Sequence, residues 1–379
     1  MLEIQGKYAS AKIFAQDTEE NVINQIQSVV DHPIFEGCQI RIMPDCHAGK
    51  GCVIGFTSTM PKNGEIIPNI IGVDQSCTMT AYKIEGKQTR DFFKLDKVIR
   101  EKIPVGTGGK RKELHRFVQN PDDYGAEMIE AIKKASADFL KEDPDTELFK
   151  IGTLGSGNHF ISLEKGETGL YLILHSGSRN FGNRLAVYFQ QKAIEKHCYG
   201  EGKLKELSWL DGEDAEEYLY YAKVCDWYAD LSHRVMADEI INAMDFEVKD
   251  FIKTTHNYIN LEDKIIRKGA IQCLDGQRVI IPINMAYGTF LAVGKGNSDW
   301  NNSGPHGAGR VLSRTQAKEQ LSMSAYKQSM KGVHSCCINR GTLDEAPMAY
   351  KNGDEIKELI TPTAEITDHL KPVYNFKAN

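Results

Sequence analysis

Gln39-Ile40-Arg41-Ile42-Met43 runs into Pro44-Asp45-Cys46-His47-Ala48-Gly49-Lys50-Gly51 and then into Cys52-Val53-Ile54-Gly55-Phe56. The opening residues alternate polar and apolar side chains, as a half-buried strand does. The glycine-punctuated middle reads as a polar loop, and the last stretch as a second extended apolar segment. Upstream, Thr18 to Val30 sets Val22, Ile23, Ile26, Val29 and Val30 at helical spacing, so a helix feeds a strand that ends in a polar loop. The pattern recurs. Leu170 to Leu174 reads as a buried strand ending in His175-Ser176-Gly177-Ser178-Arg179, and Val279 to Ile283 as another ending in Asn284-Met285. Amphipathic helices are expected over Tyr124 to Glu142, Arg184 to His197 and Asp214 to Ala243, the last one long enough to be split, and they supply the packing layer around the sheets. No low-complexity linker or repeat divides the chain, which reads as one domain over residues 1–379.

At 379 residues and 41% hydrophobic content the chain can bury a sizeable core. Its net charge of -6 excludes a globally basic surface, so nucleic acid would have to bind a local groove. Nine scattered cysteines and a start, Met1-Leu2-Glu3-Ile4, without a secretion signal point to a reducing, cytoplasmic setting. No apolar run reaches the ~20 residues of a membrane helix. Val105-Gly106-Thr107-Gly108-Gly109-Lys110-Arg111-Lys112 reads as the most mobile piece, either a solvated loop or an RNA-contacting lid.

Pro305-His306-Gly307-Ala308-Gly309-Arg310 presents an imidazole among small residues that leave its ring uncovered, just before a basic helix-like segment from Val311 to Lys318. The amides of Gly307, Ala308 and Gly309, with Arg310 and Arg314 following, could cradle phosphates; a tight turn capped by a basic helix is the bland alternative. Asp74 and Cys77 stand close enough in sequence to reach one ion, and a thiolate with a carboxylate favours Mn, Zn or Fe over Mg. His159, His175 and His256, all in polar settings, would complete a cluster large enough for two ions. There is no Walker A sequence, and Gly294-Lys295-Gly296-Asn297 lacks the pattern of a dinucleotide fold. His115, His197, His233 and His369 read as surface residues in charged segments, and His334 with Cys336 and Cys337 as part of a buried strand.

Taken in order, Met43 to Gly51, Gly152-Thr153-Leu154-Gly155-Ser156-Gly157-Asn158-His159-Phe160, Leu174 to Arg179, Gly294 to Asn297 and Pro305 to Arg310 resemble the RtcB family of RNA ligases. Leu343-Asp344-Glu345-Ala346-Pro347-Met348-Ala349-Tyr350-Lys351 extends the match. The resemblance implies an α+β fold with central, mainly antiparallel sheets flanked by helices. It also implies a GTP- and manganese-dependent ligase joining an RNA 3′-phosphate or 2′,3′-cyclic phosphate to a 5′-hydroxyl, in tRNA splicing or RNA repair, with the need for an accessory activator left open. His306 would be guanylylated; Asp74, Cys77, His159, His175 and His256 would hold two Mn ions with Cys77 bridging; Asn158 would contact the nucleotide and Lys377 the guanine.

Two positions depart from the family pattern. Asp-x-Gly-Cys-Gly is replaced by Asp74-Gln75-Ser76-Cys77-Thr78, whose side chains are expected to limit positive φ and crowd the metal turn. A guanine-contacting Glu is replaced by Ser162, and Glu164, on the same strand face, stands where it could substitute in part. The alternatives are a metal-dependent cyclic phosphodiesterase that trims RNA ends without joining them, and a silent RNA-binding protein.

Overall fold

The computed structural model describes residues 2–16, 18–72, 74–106 and 108–378; Thr107, in the expected mobile loop, and Val73, beside Asp74, fall outside them. Its strands are β1 (Leu2–Gln5), β2 (Ser10–Ile13), β3 (Gln39–His47), β4 (Ile54–Thr59), β5 (Cys77–Glu85), β6 (Phe160–Lys165), β7 (Leu170–Ser176), β8 (Glu247–Asn260), β9 (Ile265–Gln272), β10 (Arg278–Asn284), β11 (Gly288–Gly294), β12 (Ser303–Pro305) and β13 (Ala364–Lys377). The helices are α1 (Glu20–Val30), α2 (Phe92–Lys102), α3 (Arg116–Gln119), α4 (Asp123–Asp138), α5 (Arg179–Lys196), α6 (Gly212–Met244), α7 (Arg314–Gln320), α8 (Met323–Ser329) and α9 (Gly353–Leu359). The strands form one sheet in the order β1-β2-β3-β4-β9-β8-β5-β7-β6-β13-β11-β10, with β12 on β9. Among the described residues only the ladder of β2 against β3 is parallel, so the expected mainly antiparallel architecture flanked by helices is what the chain adopts. No helix among the described residues is long and apolar enough to cross a membrane.

Alternation along the central strands assigns each residue to one of two buried faces. Met79 and Ala81 of β5, Ile173 of β7 and Ile252 of β8 pack against Ile280, Leu291 and Leu370 of β10, β11 and β13, so the sheet curls over itself. Leu172 and Leu174 of β7, on the opposite face, pack against Leu95 and Ile99 of α2 and Met236 and Ile240 of α6. Helix α6 is one unbroken helix of 33 residues rather than two. Its buried residues, among them Tyr218, Tyr221, Cys225, Tyr228, Ser232 and Val235, recur at three- and four-residue spacing, and Asp245 closes it in the left-handed conformation.

Several sequence expectations change. Pro44 to His47 continues β3 instead of forming a loop, and β4 begins at Ile54, not Cys52. His233 is fully buried, not a surface residue: Nδ1 lies 2.8 Å from Thr80 Oγ1 and Nε2 3.1 Å from Ser176 O, which ties α6 to β5 and β7. His115 is likewise buried, 3.2 Å from Asp238 Oδ2. Cys336 is exposed and Cys337 buried, and neither lies in a strand.

Lys268 of β9, only 4% exposed, donates from Nζ to the carbonyls of Lys50 at 2.5 Å, Cys52 at 2.9 Å and Asn69 at 3.1 Å. This pins the Gly49–Val53 segment to the sheet. Burial pushes the Lys268 ammonium down to about 8, so it still carries its proton at neutral pH. Lys268→Met leaves those carbonyls without their donor and should lower unfolding free energy by about 3 kcal/mol in urea denaturation; a loss below about 1 kcal/mol would show that the segment is held by something else.

Candidate active site

The donor atoms meet because the strand register brings them to one edge of the sheet. Cys77, the first residue of β5, pairs with His256 of β8, while Met79 pairs with His175 of β7, which in turn pairs with Phe160 of β6. Cys77, His175 and His256 therefore point from the curled inner face, and His159 joins them from the glycine loop that enters β6. Cys77 Sγ lies 3.1 Å from His175 Nε2 and 3.6 Å from His159 Nε2; His175 Nε2 lies 3.4 Å from His256 Nε2, and His159 Nε2 3.2 Å from Asp74 Oδ2. Two donor groups result, Asp74-Cys77-His159 and Cys77-His175-His256, each with its ligand atoms within 4.8 Å of one another and Cys77 common to both.

The electrostatics of this set suit a divalent cation. Burial, reinforced by Asp74, drives the Cys77 thiol far up. Burial and the neighbouring imidazoles drive His175 and His256 far down, keeping both neutral. Burial alone would raise Asp74, but His159 and Cys77 hold its carboxyl down to about 2. The thiol has one proton to donate and more than one nitrogen facing it; a cation is the partner that satisfies thiolate, imidazole and carboxylate together. His159 Nδ1 sits 3.1 Å from Leu154 O, and the opposite ring nitrogen, Nε2, faces Asp74 and Cys77.

The turn carrying Asp74 is held from outside the donor set. Asn257, at the register shift in β8 with φ +80, donates from Nδ2 to Asp74 O at 3.0 Å, accepts from Gly269 N at 2.6 Å on Oδ1, and accepts from Ser76 N at 2.9 Å on its carbonyl. Ser76 adopts φ +55, the left-handed conformation its side chain was expected to resist. Thr78 does not crowd the donors: β5 alternation turns it to the helix face, where Oγ1 donates to Ser76 O at 3.0 Å and meets Thr255 Oγ1 at 3.1 Å. Arg179, also left-handed at φ +61, lays its guanidinium across Gly155 and places NH1 3.0 Å from His159 Nδ1. A Cβ at Gly155, itself at φ +88, would fall 1.8 Å from that guanidinium.

His306 follows β12, whose Pro305 pairs with Ala270 of β9, and its ring centroid lies 4.9 Å from that of His256. Its Nδ1 is 2.7 Å from Oδ2 of the fully buried Asp45, within ion-pair range though off hydrogen-bond geometry. Gly309, at φ +73, lets the loop press on β3, because a Cβ there would fall 2.3 Å from Asp45 O. His306, Asn158 and Gly307 to Arg310 line one cavity with Phe160, Glu164, Tyr350 and Lys377. Arg310 and Lys377 line it with their cations engaged: Arg310 donates to Asp344 O at 2.5 Å and Tyr350 Oη at 3.2 Å, and Lys377 to Gly157 O at 3.3 Å and to Glu345. Glu345, held down to about 2 by Lys377 and Arg314 against its burial, is the hub of that network.

Glu164 reaches the cavity from the strand face it shares with Ser162, whose Oγ donates to Glu164 Oε1 at 2.7 Å. Thr289 lies beside Glu164 at this end of the cavity, and the buried Asn375 Oδ1 has no hydrogen-bond partner among the described residues. Sequence reasoning assigned no role to Asp45, Asn257, Arg179 or Glu345. Asp45, Arg179 and Glu345 stand within the motif blocks and Asn257 follows His256, which was the one available signal.

A family model described as tRNA-splicing ligase RtcB matches residues 25–378. The chain is similar to the RNA-splicing ligase RtcB of Escherichia coli (strain K12), 30% identical over 364 residues that cover 88% of each chain. It is also similar to the tRNA-splicing ligases RtcB of Nanoarchaeum equitans, 25% identical with 92% of this chain and 89% of that one covered, and of Methanococcus maripaludis, 23% identical with 94% and 91% covered. With that match laid over a paired donor cluster beside His306, the chain belongs to the RtcB family.

Proposed function

We propose that this chain, as a single RtcB-like domain over residues 1–379, is a GTP- and manganese-dependent ligase of the reducing cytoplasm. It joins RNA 3′-phosphate or 2′,3′-cyclic phosphate ends to 5′-hydroxyl ends, in tRNA splicing or RNA repair. The names of its relatives, RNA-splicing and tRNA-splicing ligases, support the reaction class. The observation that carries the reading is His306 poised between Asp45 and the donor cluster.

Asp45 draws the proton of His306 to Nδ1 and leaves the Nε2 lone pair as nucleophile. Attack on the α-phosphorus of GTP forms a P–N bond and expels pyrophosphate. An oxygen of the RNA 3′-phosphate then takes the guanylyl group, breaking the P–N bond and restoring the imidazole. The 5′-hydroxyl oxygen attacks the 3′-phosphate phosphorus, GMP leaves, and the hydroxyl proton passes to solvent; a cyclic end is hydrolysed first. Asp74, Cys77, His159, His175 and His256 would hold two Mn ions, which would neutralise phosphate charge that otherwise repels the nucleophile. Asn158 and the amides of Gly307, Ala308 and Gly309 face the nucleotide, Arg310 braces that loop, and Lys377 and Glu164 stand at the guanine end. A cyclic phosphodiesterase would use the same donors but leaves the Asp45–His306 pairing without a role.

With GTP labelled at the α-phosphate and manganese, the protein should acquire acid-labile label that His306→Ala abolishes. Asp45→Asn should slow the labelling by about a hundredfold or more through loss of tautomer control. Full labelling of His306→Ala would refute the nucleophile. Burial pushes the Glu164 carboxyl up to about 7, so the acceptor that guanine N1–H and N2–H2 require becomes ionised as pH rises through that value. GTP affinity should therefore increase from pH 6 to pH 8, and Glu164→Gln should flatten the profile; an unchanged profile in the variant assigns the dependence elsewhere.

A further inference from the structure

The chain is acidic overall at -6, yet residues 310–340 hold six Lys/Arg against one Asp/Glu, and residues 100–116 hold six against two. Contacts place these segments on opposite sides of the loop Gly155 to Asn158. On one side, Val105 bridges Gly155, Gly106 N donates to Gly155 O at 2.9 Å and Leu154 N to Pro104 O at 3.0 Å, which brings Lys110 and Lys112 to that flank. On the other, Lys377 reaches Gly157 O, and the Arg314 guanidinium comes within 3.7 Å of where a Cβ on Gly157 would lie. Lys318, one helical turn from Arg314 on α7, continues that flank, and Lys327 lies on α8, which packs on the same Arg340–Glu345 segment as α7. Lys110, Lys112, Lys318 and Lys327 are all exposed. Among the described residues Lys318 pairs at 3.6 Å with Asp344, and the other three make no ion pair.

We infer that these two basic lips are the track for the sugar-phosphate backbone of a single-stranded RNA whose 3′-phosphate end descends between them to His306. The inference rests on the ligase reading of the site and adds where the strand lies. The loop between the lips ends in Asn158 and His159, so a strand held across it delivers its terminus to the cavity and the donor cluster. Exposed lysines spaced along two flanks attract a polyanion to this path, while the rest of the chain, more acidic than the whole, does not compete for it.

The test is fluorescence anisotropy with a labelled single-stranded RNA of about 20 nucleotides ending in a 3′-phosphate, between about 50 and 200 mM salt. It uses the full chain, the pairs Lys110→Glu/Lys112→Glu and Lys318→Glu/Lys327→Glu, and a control pair, Lys62→Glu/Lys357→Glu. Each lip variant should lose at least about tenfold in affinity at the lower salt, and its log-log salt slope should shrink by about 0.7 per lysine. The control should bind like wild type, and labelling by α-labelled GTP should be unchanged in every variant. Wild-type affinity and slope in both lip variants, or competition by polyglutamate as strong as by RNA, would overturn the track; the latter would mark an acidic protein partner. Absence of label in wild type would instead sink the ligase reading, while the binding slopes still decide the track.

Discussion

Everything near the site is arranged around one dry spot, the space about Cys77 Sγ where two imidazole nitrogens lie within 3.6 Å. Without a cation that spot is costly, because neutral imidazoles and a protonated thiol crowd together beyond the reach of water. The strand register enforces it all the same. β5 and β7 are buried on both faces and β8 is locked to β5 by a continuous ladder, so Cys77 and its neighbours cannot turn away without unzipping the sheet. The fold thus stores an unmet demand for positive charge at the place where anionic substrate would react.

The supports are spread over the chain. His233 and Ser232 of α6 grip the strand and loop behind the donors, Ser232 Oγ accepting from Gly152 N at 3.3 Å. Gln75 donates to Tyr218 Oη at 2.8 Å, so the same helix steadies the turn after Asp74. Asn257 and Ser76 take left-handed backbone conformations for that turn, and such strain persists where surrounding contacts over-determine it. On the opposite wall, Glu345 gathers Lys377, Arg314, Arg310 and Tyr350 into a network that shapes the far end of the cavity.

Much of this was legible in the sequence. The donors were readable because His, Cys and Asp beside glycines at strand ends are poor core material, and the strand and helix periods placed them at ends of elements. Direction was harder to read. Thr78 looked like an obstacle until β5 alternation turned it to the helix face, and His233 looked solvated because its charged neighbours hid a buried helix stripe. Asp45 was hidden for a related reason: a polar residue after Pro44 reads as loop, whereas β3 continues through it and buries the carboxylate. Glu345 lies inside a motif block, but its part as a hub was not readable there, since its four partners come from three separate segments.

Manganese stoichiometry in metal-binding titrations of the wild-type chain and single-ligand variants tests the central claim most directly. Sharing of Cys77 predicts two ions for wild type, one for His159→Ala or His256→Ala, and close to none for Cys77→Ser with the fold intact by circular dichroism. Two ions retained by Cys77→Ser would contradict the account.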